Sequence, residues 1–68
     1  MRKSRHSQKY WCEDRGYPVP GAALSYAQNL ASRWTGEPRS FYVRDPLDVG
    51  LFRVDADADR IIRTYAIS

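Results

Sequence analysis

Sixty-eight residues with 43% hydrophobic and 13% aromatic content suffice for one small folded domain and argue against an intrinsically disordered chain. The single cysteine, Cys12, excludes an internal disulfide, the single histidine leaves too few ligands for a structural zinc, and no apolar run is long enough to span a membrane. The net charge of +3 is concentrated at one end: Arg2, Lys3, Arg5 and Lys9 give residues 1–9 a charge of +4, whereas seven basic and eight acidic side chains leave residues 10–68 at −1.

Residues 1–7 are basic and polar with no period and read as a flexible arm, followed by one compact domain over 8–68. Gln8 to Asp14 reads as a first strand, with Tyr10 and Cys12 on one face and Trp11 and Glu13 on the other. Arg15 to Pro20 reads as a turn leading into a helix, because Gly16, Pro18 and Pro20 interrupt regular structure. From Pro20 onward Ala23, Ala27, Leu30 and Trp34, with Leu24 and Ala31 beside them, form an apolar stripe at the helical period. Ser25, Gln28, Asn29, Ser32 and Arg33 fall on the solvated side. Leu30 and Trp34 are expected to supply most of the helix's buried area. Pro20 suits a first helical turn, but no Ser, Thr, Asp or Asn stands at the N-cap. Gly36 followed by Pro38 predicts the stop, with the glycine in the left-handed position after the last turn.

Ser40 to Asp45 reads as a second strand, with Phe41 and Val43 opposite Tyr42 and Arg44. Leu51 to Asp55 reads as a third, with Phe52 and Val54 on one face. The acidic stretch 56–59 turns into a fourth strand over 60–67. The inward face of that strand is ambiguous: Ile61, Tyr65 and Ile67 share a side with Arg63, and Ile62, Thr64 and Ala66 form the other. The expected fold is α+β in the order β-α-β-β-β, a single helix on one face of a three- to four-stranded antiparallel sheet. The other face stays open, with Trp11, Tyr42, Arg44 and Arg53 on it and Arg63 as a further candidate that depends on the phase of the fourth strand, and such a surface is suited to binding.

Three constellations carry chemical meaning. Arg2, Lys3, Arg5 and Lys9, followed by Tyr10 and Trp11, have the character to neutralise phosphates and stack a base, although a solubilising terminus has the same composition. Asp55, Asp57 and Asp59 alternate as in the start of an EF-hand loop. The glycine and the bidentate glutamate of that loop are replaced by Arg60 and Ala66, so the acids read as a hairpin turn pairing with Arg53 or Arg60, or as an acidic knob at the rim of an interface. His6 falls in the arm, where it is not pre-organised as a base for a nucleophile, and Cys12 reads as a small core residue. No enzyme, no metal and no cofactor is expected.

The run ALSYAQNLASRWTGEPRSFYVRD, an alanine-rich helix ending in Thr-Gly-Glu-Pro and then a strand, resembles the layout of small accessory proteins encoded by phages and mobile elements, among them some anti-CRISPR proteins. The likeness covers about half the chain and implies a non-enzymatic inhibitor; many such inhibitors are acidic, whereas this chain is basic overall. The expected function is occlusion of a surface on a host or phage protein in the cytoplasm, through Trp11, Tyr42, Arg44 and Arg53, with Asp55, Asp57 and Asp59 at the rim. The alternative is a nucleic-acid-binding module using Arg2, Lys3, Arg5, Lys9 and Tyr10. An open edge strand also allows a homodimer. No membrane partner is expected.

Overall fold

A computed structural model describes residues 8–57 and 61–67. The arm over 1–7, His6 within it, and Asp59 and Arg60 lie outside the described residues. The elements run β1 (Tyr10–Cys12), β2 (Arg15–Tyr17), α1 (Pro20–Arg33), β3 (Arg39–Arg44), β4 (Gly50–Ala56) and β5 (Ile62–Ala66). The fold is α+β, with α1 on one face of an antiparallel sheet in the spatial order β2-β1-β3-β4-β5.

The sheet has five strands because the stretch expected to be a turn, Arg15–Tyr17, is itself a strand. Cys12 pairs with Arg15 across a two-residue loop, Glu13-Asp14, and Glu13 takes the positive φ of 58° that such tight loops need. Tyr17 then packs against Tyr26 of α1 with ring centroids 5.7 Å apart, and the Arg15 guanidinium lies over the same Tyr26 ring. Two contacts to the helix thus hold a three-residue strand that would be too short to persist alone.

The helix presents small residues to the sheet. Ala23, Ala27 and Ala31, one turn apart, are its buried residues, while Leu24, Tyr26 and Leu30 flank them half-buried. The large buried side chains come from the strands instead: Phe41 and Val43 from β3, Val54 from β4, and Cys12 from β1. An alanine ridge lets the helix axis approach the sheet, and the sheet's own side chains fill the space between. Trp34 lies one residue beyond the helix as its C-cap, in extended conformation. Its indole meets Phe41 edge-on at 6.0 Å, and its Nε1–H donates to the Glu37 carbonyl at 2.6 Å. Gly36 therefore sits two residues past the C-cap, in the loop, at φ 130°, a conformation that side chains rarely adopt.

The start of α1 matches the expectation. Val19 is the N-cap with extended φ and ψ and no side-chain hydrogen bond, Pro20 follows at the first position, and no acid stands in the first turn. Val19 is also half exposed. Val19→Ser or Val19→Asp places an acceptor over the free N–H groups, and is expected to stabilise the domain by about 1 kcal/mol, raising Tm by roughly 4–8 °C in a calorimetric scan. An unchanged Tm would mean that the N–H groups already have partners.

The register settles β5. Phe52, Val54 and Ala56 face the helix, and their neighbours across β5 are Ala66, Thr64 and Ile62. Gln28 Nε2 of α1 donates to Thr64 Oγ1 at 3.1 Å, which fixes that side toward the helix. Ile61, Arg63, Tyr65 and Ile67 therefore belong to the open face.

Candidate functional site

Period-two alternation and antiparallel register place the functional side chains in rows across the open face. Tyr42 of β3 pairs with Arg53 of β4, which pairs with Tyr65 of β5. Ser40, Asp55 and Arg63 form the next row. Trp11 of β1 pairs with Arg44 of β3 on one side and with Gly16 of β2 on the other. The Trp11 ring lies over Gly16 so closely that a Cβ there would meet it at 3.0 Å. Trp11 is half-buried as a result, whereas Tyr42 and Tyr65 are 47% and 41% exposed. The two tyrosines are the protruding aromatics of the face, and Trp11 lies flat toward the β2 edge.

The middle of this face is an arginine between aromatics. The Arg53 guanidinium lies 4.5 Å from the centroid of the Tyr65 ring, within cation–π range. Its Nε lies 3.1 Å from Asp55 Oδ1 but is not aimed for a hydrogen bond, so the contact is an ion pair by proximity alone. Ser40 Oγ donates to the same Asp55 oxygen at 2.7 Å. Asp55 is therefore anchored within β4 and not free on a turn.

The other two arginines of the face are also neutralised. Arg44 Nη1 donates to Asp48 Oδ1 at 2.8 Å, and its Nη2 donates to the Glu13 carbonyl at 3.1 Å. Asp48 is presented by the β3–β4 turn, where Asp45 Oδ1 accepts from the backbone N–H groups of Leu47 and Val49, and where Asp48 adopts φ 68°. Arg63 lies 3.7 Å from Asp57 Oδ2. Each of Arg44, Arg53 and Arg63 thus has an aspartate beside it. The expected pairing of the acids with Arg53 holds for Asp55; Asp57 pairs with Arg63.

No family model, curated protein or solved structure matches this chain. The geometry alone therefore bears on what the face does.

Trp11, Tyr42, Arg44, Arg53 and Asp55 lie together on the open face, and Asp57 closes its β4 end. Tyr10 is on the opposite side, half-buried against the core, while Lys9, just before β1, is exposed and lays its side chain over Gly16 beside Trp11 on the open face. Arg2, Lys3 and Arg5 fall outside the described residues. Tyr65 and Arg63 join the face, and the register of β5 on β4 is the signal that assigns them. A cleft of about 340 Å³ opens beside this row, lined by Ser40, Asp55, Asp57, Ile61 and Arg63 together with the start of β3. Among the described residues no group of three His, Cys, Asp or Glu converges to hold a metal, and no helix is long and apolar enough to cross a membrane. Cys12 is fully buried, and burial together with the Glu13 carboxylate pushes its thiol up to about 11, against the opposing pull of Arg44 and Arg39.

Proposed function

We propose that this is a small non-enzymatic binding protein whose open sheet face covers a surface on a partner protein. The observation that carries the reading is the pairing of Tyr42, Arg53 and Tyr65 in one row, with two protruding tyrosines around an arginine whose charge is already met by Asp55. Tyrosine, tryptophan and arginine are the residues that most often dominate protein interfaces. Arg44, Arg53 and Arg63 each have an aspartate within ion-pair distance, so most of the positive charge of the face is met, and Lys9, beside Trp11 over Gly16, adds one cation at the β2 edge. A phosphate backbone rewards uncompensated positive charge, and this face offers little of it. A protein surface rewards aromatic area with matched polar groups, and this face offers both.

In its specific form the reading is an inhibitor of the anti-CRISPR kind, which acts by occluding a functional surface of a bacterial or phage protein. The layout of an alanine-rich helix followed by a strand is what supports that form. The nucleic-acid alternative rests on Arg2, Lys3, Arg5 and Lys9, since Tyr10 packs toward the core.

The test is affinity capture from nuclease-treated bacterial lysate with the full chain, followed by identification of what is retained and measurement of its affinity. A single protein species is expected, held at high salt, with Tyr42→Ala combined with Tyr65→Ala weakening it at least about 30-fold. Replacing Arg2, Lys3 and Arg5 with alanine is expected to change that affinity little. Capture of nucleic acid, lost with those three basic residues and kept with the tyrosine variant, would replace the protein reading by the alternative.

A further inference from the structure

Among the described residues the β5 edge of the sheet carries no protection. Edge strands in soluble proteins are usually blunted by lysine, proline, a bulge or extreme shortness. β2, at the other edge, is three residues long and runs into Pro18. β5 is five residues of regular strand, its register on β4 is unbroken, and its sequence from Ile61 to Ile67 has no lysine and no proline. Its one charge, Arg63, points to the open face.

The hydrogen-bond phase shows which groups are left over. The Ile67 N–H donates to the Leu51 carbonyl at 2.8 Å, and the Asp57 N–H donates to the Ile61 carbonyl at 3.0 Å. Odd-numbered residues of β5 therefore face β4 with their main-chain groups. Ile62, Thr64 and Ala66 turn theirs outward, and among the described residues no strand pairs with them.

We propose that this edge pairs with the β5 edge of a second copy of the chain, antiparallel and centred on Thr64, to give a dimer with one continuous sheet. The sequence is self-complementary about that residue. Thr64 meets Thr64 of the second copy as a hydrogen-bonded pair, and Ile62 meets Ala66, so each outward N–H and C=O finds its counterpart in about six main-chain bonds. On the open face Ile61 meets Ile67 and Arg63 meets Tyr65. Arg63 would then approach the side of the Tyr65 ring that Arg53 does not occupy, and no like charges face each other directly across the seam. On the helix side, a groove of about 590 Å³ runs between α1 and β5, lined by Ser25, Gln28, Asn29, Ser32, Ile62 and Thr64. Every one of these side chains is uncharged, in a chain that is 28% charged. Two such grooves meet across the two-fold axis without electrostatic conflict. A one-residue slip of the pairing would turn the outward groups out of phase, and a two-residue slip would bring Arg63 opposite Arg63 or, in the other direction, part Arg63 from Tyr65. The pairing is independent of whether the open face binds a partner protein.

Sedimentation equilibrium of the full chain at high micromolar concentration is expected to give twice the 7.9 kDa chain mass. Tyr65→Lys sets like charges opposite each other twice per dimer and should weaken association by roughly tenfold or more, whereas Tyr65→Glu, which places a carboxylate opposite Arg63, should preserve it. Register is read by cysteine cross-linking under mild oxidation. Thr64→Cys puts two thiols opposite each other at about 5.5 Å between Cα atoms, within disulfide reach, while Ile62→Cys puts them far outside it. Rapid cross-linking of Thr64→Cys alone supports the pairing. A monomer at these concentrations, or Ile62→Cys linking as fast as Thr64→Cys, overturns it, and neither readout depends on the tyrosine variants folding.

Discussion

Phe41→Ala is expected to remove a large share of the domain's stability. Phe41 is 2% exposed and is the largest side chain fully enclosed by the fold. It stands on β3 with Val54 beside it on β4, Trp34 edge-on against its ring, and the Arg39 guanidinium 4.6 Å from its centroid. Arg39 reaches in turn to Glu13 at 2.9 Å, so the ring underlies the contacts that fasten the α1–β3 loop to the β1–β2 hairpin. Ala23, Ala27 and Ala31, the helix residues that face the sheet directly, carry no side chain long enough to fill the space that Phe41 would vacate. Truncation to alanine at such a site costs about 3–5 kcal/mol. A domain of this length has roughly 3–10 kcal/mol in total. Urea titration followed by circular dichroism measures the loss directly. Tyr42→Ala, one residue along and facing the other way, is the control and is expected to shift stability by about 0.5 kcal/mol or less. If Tyr42→Ala were the damaging change and Phe41→Ala the mild one, the helix would lie on the opposite face of the sheet.

That face assignment was legible in the sequence for β3 and β4, and the reason is central position. Phe41 and Val43, and Phe52 and Val54, alternate against polar residues, and a strand flanked on both sides must bury its apolar set. β5 has no such constraint. Its odd-numbered set, Ile61, Tyr65 and Ile67, is more apolar than Ile62, Thr64 and Ala66, yet the odd set faces out. At an edge only partly roofed by α1 the burial gain is small, and the pairing of Thr64 with Val54 and its bond from Gln28 decide the phase. Tyr65 was missed as a site residue for the same reason. β2 was missed because Glu13-Asp14 lacks the Asn-Gly or Asp-Gly signature of a tight hairpin, and because Gly16 looks like a loop residue until the Trp11 ring is seen lying on it. The expected helix stop is close to the real one. Gly36 serves the loop that returns to β3, while the helix itself ends where Trp34 leaves the helical path to cover Phe41. Trp11, Tyr42, Arg44 and Arg53 share a face by period two alone. Their neutralisation by aspartates depends on turn geometry and on ion pairs that no spacing rule fixes.

Alkaline pH is expected to destabilise the domain through Cys12. The thiol is fully buried where β1 joins β3, opposite Val43. Burial first, and the Glu13 carboxylate second, raise its pKa from 9.0 to about 11. Between those values the unfolded chain has released the proton and the folded one still holds it. The folded state then binds more protons, and stability must fall as pH rises. The slope is about 1.4 kcal/mol per pH unit, and the loss approaches 2–3 kcal/mol by about pH 11, while below about pH 8 the thiol contributes no pH dependence. The quantity to measure is the difference between the wild type and Cys12→Ala in parallel denaturant titrations from about pH 7 to pH 10, in which contributions common to both proteins cancel. Cys12→Ala is expected to be the less stable protein at neutral pH, because it leaves a small void, and to lose less with each step upward, so that the two stabilities converge. A thiol reagent gives an independent reading: at pH 8 it should modify the unfolded chain rapidly and the native chain only at the rate at which the β1–β3 seam opens. Parallel titration curves together with rapid native labelling would mean that β1 is not closed over its cysteine. Trp11 would then lack the fixed strand that holds it beside Arg44, and the open face would be reduced to β3, β4 and β5.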